Sequence, residues 1–247
     1  MRALYCALFL SAVFVAPALA ASVQVVSPPL VRAGLTQLAA DYTKQTGIVV
    51  TVRADVMGKI MNDIKAGPTD VVLLPPNLMD VLSKDDGIKP GTRQTAGRVE
   101  IALAVRPGAP HPDISTVEKL RATLLSAKTV AYSQPGPPRN SMEAGIIDRI
   151  LHRPEFAGVH TLTVNPGSGI SALAKGDADM ALQVVPEITP VKGVELVGPL
   201  PSELGAHIDV DTAISASSAD PAAAEAFIRY IIRPDAAAEW KKFGLDR

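Results

Sequence analysis

The feature that most restricts this chain is a regular alternation of short β-branched runs with amphipathic stretches. Three runs have the composition of buried strands: 22–27 (SVQVVS), 48–55 (IVVTVRAD) and 70–75 (DVVLLP). Residues 30–47 carry apolar side chains at helical spacing and stop at Gly47, and 58–67 is a shorter helix closed by a glycine. This β-α-β-α-β order predicts an α/β fold with a parallel sheet covered by helices. Such sheets bind ligands outside the carboxyl ends of their strands.

A second series of the same kind follows. Strands are predicted at 98–108, 129–133, 159–165, 180–185 and 207–216, helices at 115–127 and 141–152, and a helix and turn at 169–179. Residues 193–201 lead outward from this series. The last stretch, 220–244, is predicted to form two helices broken at Pro234, with Asp220 as N-cap and Pro221 at the first helical position.

The first twenty residues have the pattern of a cleavable signal peptide. Arg2 precedes an apolar run at 3–16, and Ala18-Leu19-Ala20 gives an A-x-A cleavage site. We therefore expect export to the periplasm, with residues 1–20 removed. The mature chain has no further apolar run of membrane-spanning length, so we expect no membrane insertion. The single cysteine, Cys6, lies in the removed segment, so no disulfide or thiolate site is expected.

Charge and motifs exclude several function classes. The chain has 24 basic and 25 acidic residues, and this nearly balanced charge does not indicate a nucleic-acid-binding protein. It lacks the G-x-S-x-G, H-E-x-x-H and G-x-x-x-x-G-K-[ST] motifs, and its four histidines are scattered at 111, 152, 160 and 207. We expect no metal, no cofactor and no catalysis.

Four segments carry a family resemblance: LTQLAADYTKQTGIVVTV, DIKAGPTDVVLLP, KGDADMALQVVPEI with GVELVGPLPSELG, and DPAAAEAFIRYIIRPDAAAEWKKFG. They resemble the periplasmic solute-binding proteins of bacterial ABC importers, in particular the molybdate-binding-protein-like (type II) branch. The resemblance covers most of the mature chain, and the segments occur in the family's order.

The resemblance implies two α/β lobes, each a mostly parallel sheet flanked by helices, that close on a ligand about two hinge strands. The first lobe would comprise 22–102 and 212–247, and the second 103–211. The hinges would be 101–105 and 210–214. The implied partners are a small-molecule solute and an inner-membrane ABC permease with its cytoplasmic ATPase, and we expect a monomer.

The chain departs from the family where molybdate binders use serine hydroxyls. Leu30 occupies the position of the usual serine on the first loop, and the second loop reads ADVMGK. The expected tyrosine of the second lobe falls near Gln183-Val184. These changes favour a larger organic ligand over molybdate.

Residues on the strand-end turns are the expected ligand contacts. On the first lobe they are Ser27, Pro28, Arg32, Met57, Gly58 and Pro75. On the second lobe they are Ser133, Arg139, Asn140, Ser141 and Gln183. Arg139 can offer a planar fork of donors to a carboxylate, and a buried Gln183 needs hydrogen-bond partners that a ligand can supply.

Several of these assignments have a plainer alternative. Arg32 and Arg139 could be solvated charges, Arg53 could pair with Asp55, and Ser141 could serve only as an N-cap. A neighbouring loop could satisfy Gln183, and Gly58 could be a turn glycine.

The arginines favour an anionic solute, with an organic acid ahead of an oxyanion. The main hypothesis is a periplasmic receptor for import. The alternatives are a sensor that docks on a membrane signalling receptor and a hydrolase that depends on Ser27 or Ser141.

Overall fold

The computed structural model describes residues 22–136, 141–165 and 169–247, and for Met57, Lys65 and Ala66 it describes the backbone alone. The predicted signal peptide at 1–20 lies outside these residues, as do the predicted ligand contacts Arg139 and Asn140.

The first series has the predicted alternation. Its elements are β1 (Ser22–Ser27), α1 (Pro29–Thr46), β2 (Val49–Ala54), α2 (Met57–Ala66), β3 (Val71–Leu74) and α3 (Pro76–Lys84). α1 ends as expected at Gly47, whose φ of 76° places it in the left-handed region that glycine adopts without strain. The helix α3 was not predicted, because its short run follows two prolines that look like loop residues.

The second series is longer. It comprises β4 (Gln94–Val105), α4 (Val117–Ser126), β5 (Val130–Ser133), α5 (Met142–Leu151), β6 (Thr161–Val164), α6 (Gly169–Lys175), β7 (Met180–Val184), α7 (Val185–Ile188), β8 (Glu195–Pro199) and β9 (His207–Ile214). Short 3-10 turns occupy Pro154–Phe156 and Ser202–Leu204. The chain closes with α8 (Pro221–Ile231), α9 (Ala236–Lys242) and β10 (Leu245–Asp246).

Two expectations for the second series are wrong in detail. The segment 193–201 does not simply lead outward, because Glu195–Pro199 forms a strand paired with β4. The strand predicted at 180–185 ends at Val184, and Val185 begins α7.

The strands follow the order β2-β1-β3-β9-β4-β7-β5-β6, with β8 and β10 also paired to β4. The pairs β1–β2, β1–β3, β5–β6 and β5–β7 are parallel. β4 and β9 run antiparallel to their neighbours, so the sheet is mixed. Helices cover its faces, and the predicted α/β class is confirmed.

The long strand β4 joins two sheet halves, and the fold is bilobal. From Gln94 to Glu100 it pairs with β9, and from Ile101 onward it pairs with β7. This change of partners falls beside the start of the predicted hinge at 101–105. The lobe boundaries and hinges given above remain a prediction.

The core of the first half extends to the end of the chain. Trp240 on α9 is buried, and its Nε1 donates to the carbonyl of Ile231 at 2.8 Å. Its ring packs on Gly34 of α1, where a Cβ would stand 2.7 Å from Trp240 Cε3. No helix in the described ranges is long and apolar enough to span a bilayer.

Candidate functional site

The carboxyl ends of β1, β2 and β3 lie side by side, because β1 pairs in parallel with both neighbours. The helices α1, α2 and α3 begin at this edge, with Pro28, Val56 and Pro75 as their N-caps. None of the three residues gives its helix a side-chain cap. The first-turn N–H groups of an uncapped helix lack an intrahelical partner, and the helix dipole adds positive potential there. The edge is therefore suited to an anion.

Three other helices, α4, α5 and α8, are capped by side chains, whereas α7 and α9 are not. Thr116 Oγ1 caps α4, Ser141 Oγ caps α5, and Asp220 Oδ1 caps α8. The missing caps thus distinguish the first-half edge from these helix starts.

Ser27 at the end of β1 is completely buried. Its carbonyl oxygen accepts from the Asp55 N–H at 3.2 Å, but its Oγ has no hydrogen-bond partner among the described residues. Leaving a buried hydroxyl unpaired costs about 1–3 kcal/mol. A ligand at this edge can supply the missing partner.

Two cations near the first-half edge are engaged by carboxylates. Lys59 Nζ lies 2.7 Å from Asp63 Oδ2 and 3.4 Å from Asp55 Oδ2. The hydrogen bond to Lys59 lowers the pKa of Asp63. Arg53 pairs with Asp63 at 3.6 Å, not with Asp55, the partner considered from the sequence. These two cations are therefore already paired, whereas Arg32 is exposed in the first turn of α1.

The remaining first-half candidates differ in what they offer a ligand. Pro28 and Pro75 are buried N-caps. Gly58 lies in the first turn of α2, and nothing stands within 4 Å of the place where its Cβ would be. A ligand can thus approach the backbone there. For Met57 the backbone position, at the start of α2, is all that is described.

In the second half, Ser133 is the last residue of β5, and Gln183 is the last but one of β7. Both side chains are buried. Gln183 Oε1 accepts from the Val184 N–H at 2.9 Å. Its Nε2 stands 3.5 Å from Ser133 Oγ, at the limit for a hydrogen bond. The structure brings these two predicted residues together, and the Gln183 amide retains donor capacity for a ligand.

Ser141 has the capping role considered as its plainer alternative. Its Oγ accepts from the Ala144 N–H at 3.3 Å at the start of α5. The hydroxyl proton is not used in that bond and can still be donated.

The sequence analysis missed Glu187, which lies on α7 directly after β7. Burial, as the larger cause, and the negative charge of Glu143 in the first turn of α5 together raise the pKa of Glu187 to about 7. The signal was present in the sequence: a Pro-Glu pair after a buried strand places a carboxyl on the first turn of the next helix.

A cavity of about 600 Å³ lies elsewhere, where the last residues of the chain meet β4 and β8. Its lining includes Arg98, Glu100, His207 and Lys241, and none of the predicted ligand contacts. No cluster of metal-ligating side chains occurs in the described ranges.

A family model for bacterial extracellular solute-binding proteins matches residues 23–246. Among curated proteins, the aconitate isomerase of a Pseudomonas species is 29% identical over 223 residues, which are 85% of this chain and 82% of that protein.

Solved structures have the same fold. The substrate-binding domain ascribed to a molybdenum ABC transporter of Clostridium difficile has a TM-score of 0.78 at 13% identity, and the match covers 92% of this chain and 99% of that domain. The periplasmic molybdate-binding protein of Azotobacter vinelandii has a TM-score of 0.67 at 20% identity, covering 91% of this chain and 99% of that one. The chain belongs to the bacterial extracellular solute-binding protein family, and its fold is that of the molybdate-binding-protein-like periplasmic binding proteins.

Proposed function

We propose that this protein captures a small organic acid between its two halves and delivers it to an inner-membrane ABC permease. The family supports periplasmic solute binding. Contacts of one ligand with both halves would favour a closed state, as in other two-lobed receptors. The permease and its ATPase supply the transport step.

The observation that favours an anionic ligand is the set of three helices without side-chain caps at one edge of the sheet. The N-termini of α1, α2 and α3 present N–H donors without side-chain caps, and Ser27 adds a buried hydroxyl that has no partner among the described residues. Carboxylate oxygens accept hydrogen bonds from such donors and interact favourably with the helix dipoles. This attraction comes from the helix N-termini and does not depend on Lys59 and Arg53, because carboxylates already pair with those two cations.

Two observations favour an organic acid over a bare oxyanion. Leu30 and Met142, in the first turns of α1 and α5, pack against the hydrophobic core but stay half-buried, so they leave apolar surface near the helix starts that suits a carbon skeleton. The relative named aconitate isomerase has, by its name, a tricarboxylic acid as substrate.

Isothermal titration calorimetry with di- and tricarboxylates, molybdate, sulfate, amino acids and sugars tests the proposal. We expect the carboxylates to bind and to raise the melting temperature, since a ligand at 100 times its Kd stabilises the folded state by about 2.7 kcal/mol. Binding of sugars alone would contradict it.

A substitution at Val56 tests the role of the helix ends. Val56 is the exposed, non-capping N-cap of α2, so Val56→Asp would give α2 an anionic cap. We expect it to stabilise the free protein by about 1 kcal/mol and to weaken carboxylate binding at least tenfold. Val56→Asn is the matched control, because it caps α2 without a charge and should weaken binding less. Equal affinity in Val56→Asp and the wild type would exclude the α2 terminus from the site.

Isomerisation of the bound acid is a second candidate function. The family and the solved relatives are binding proteins, but the curated relative is named as an isomerase. Glu187 is the observation in this chain that favours it, since a carboxyl whose pKa is about 7 can both accept and donate a proton at neutral pH.

A further inference from the structure

Glu187 is held where the two halves of the molecule meet. It lies on α7, which packs against both β7 and α1. The preceding residues, Val185 and Pro186, are in contact with Gly244 near the end of the chain. Because α1 starts directly after Ser27-Pro28, α7 faces the helix that begins at the first-half edge.

The carboxyl groups of Glu187 and Glu143 have no cationic partner in the ion pairs of the described residues, although both side chains are only partly exposed. A partly buried carboxyl group without a cationic partner lowers the stability of the folded protein. Packing therefore does not explain why the two carboxyl groups are there. Among the described residues, the buried Ser27 hydroxyl of the first half also has no hydrogen-bond partner. A polar ligand between the halves would contact this hydroxyl on one side and the two partly exposed carboxyl groups on the other.

The surroundings of Glu187 keep it close to half-protonated at neutral pH. Burial is the main cause of its pKa of about 7, and the charge of Glu143 is the second. Other charged groups on the elements that pack against α7 include Arg32 on α1 and Glu195 on β8, and Glu195 is paired with His111 at 2.9 Å.

We propose that Glu187 is a catalytic residue that moves a proton between two carbon atoms of the bound acid, so that the site shifts the double bond of an unsaturated carboxylic acid. The inference rests on the proposed function, because it uses the same ligand site. The substrate class is a polycarboxylic acid in which a CH2 group lies between a carboxylate and a carbon–carbon double bond.

The reaction needs no cofactor and no oxidant. The ionised Glu187 takes a proton from the CH2 carbon, so a C–H bond breaks and an O–H bond forms. The electron pair that is left forms a new double bond while the original one opens, and the far carbon takes the proton back from Glu187. The negative charge that develops spreads onto a substrate carboxylate, where the first-turn N–H groups of α1, α2 and α3 can stabilise it.

Proton NMR in D₂O with trans-aconitate as the probe tests this inference. We expect the wild-type protein to produce the cis isomer at pH 7 and to introduce deuterium at carbon in those turnovers in which the proton on Glu187 exchanges with solvent before it is returned. Glu187→Gln keeps the shape of the protonated side chain but cannot accept a proton. It should lower both rates at least 100-fold while the Kd from calorimetry changes less than tenfold.

Glu203→Gln, an exposed substitution on the Ser202–Leu204 turn, is the control and should retain the wild-type rates. Tricarballylate, the saturated analogue, should bind without isomerising. If wild-type protein binds trans-aconitate without exchange or isomerisation, the inference is overturned and the binding function stands. Exchange that persists in Glu187→Gln overturns the role of Glu187. If trans-aconitate does not bind, the substrate class is overturned, and the calorimetric panel decides separately whether another organic acid binds.

Discussion

Gly244 lies so close to Pro186 that a Cβ on Gly244 would stand 2.9 Å from Pro186 Cδ and 2.8 Å from Val185 Cγ1. Gly244 also has a φ of 80°, which side-chain-bearing residues rarely adopt. The contact joins the end of α9 in the first half to α7 in the second. The helix that carries Glu187 is thereby packed against the first half.

Gly244→Ala should therefore destabilise the protein for two reasons, the left-handed backbone and the clash with α7. We expect a loss of about 2–4 kcal/mol in the free energy of unfolding, measured with urea. Gly47→Ala is the matched control: its φ is 76°, but nothing stands within 4 Å of its Cβ position, so it should lose only about 1 kcal/mol. Equal losses in the two variants would show that the contact with α7 is unimportant.

Asp70 connects β1 to the turn that precedes α8. Its Oδ2 accepts from the Gln24 N–H at 2.8 Å, and its Oδ1 accepts from Ser218 Oγ at 2.7 Å and from the Ala219 N–H at 3.2 Å. Because the residue is buried, Asp70→Ala would leave these donors without their acceptor. We expect it to lower the free energy of unfolding by about 2–4 kcal/mol.

Ser218→Ala is the control for Asp70, since it removes one of the three hydrogen bonds and leaves the two backbone donors paired. It should cost about 1 kcal/mol in the same urea titration. A loss in Asp70→Ala no larger than that in Ser218→Ala would contradict the proposed role of the backbone contacts.

Local signals allowed the sequence to predict much of the fold. Asp220 caps α8 with Pro221 at its first position, and Ser22–Ser27 forms a strand with the predicted bounds. β8 was missed because it contains Gly198 and Pro199, which disfavour a strand, and it forms through pairing with β4. Such long-range pairing has no local signature.

For the candidate site, which stays a prediction, the sequence indicated strand-end residues but not how their charges pair. Strand ends identified Ser133 and Gln183, which the structure brings together. Arg53 on β2 pairs with Asp63 on α2, and this pairing depends on how the two elements pack. The sequence therefore did not show that the positive charge of Arg53 is neutralised at the first-half edge. The raised pKa of Glu187 depends on burial and on Glu143, which is distant in sequence.

Glu187 should make stability depend on pH. Its pKa of about 7 in the folded protein lies above the ordinary value of 4.5, so the folded state binds this proton more tightly than the unfolded state. The group therefore destabilises the fold progressively as pH rises from about 4.5 to about 7, by about 1–3 kcal/mol in total. Glu187→Gln should be more stable than the wild type at pH 8 and equally stable at pH 4.5, in urea titrations at each pH.

Glu143→Gln separates the two causes of that pKa. It removes the neighbouring charge but leaves Glu187 buried, so the pH-dependent loss should become smaller without disappearing. If Glu187→Gln and the wild type had parallel stability profiles between pH 4.5 and pH 8, the raised pKa would be wrong.

Ser27→Ala should have opposite effects on the free and the ligand-bound protein. In the free protein it removes a fully buried hydroxyl that has no partner among the described residues, so the free energy of unfolding should stay equal or rise by up to about 1 kcal/mol. If a bound carboxylate pairs with that hydroxyl, its loss should weaken carboxylate binding about tenfold or more in calorimetry. Thr69→Ala is the matched control, because it also removes a buried hydroxyl that has no partner among the described residues, but from the chain before the start of β3 and not from a strand end at the site. Unchanged affinity in Ser27→Ala would mean that the hydroxyl does not contact the ligand, whereas equally weakened affinity in Thr69→Ala would mean that the effect reflects the core and not the site.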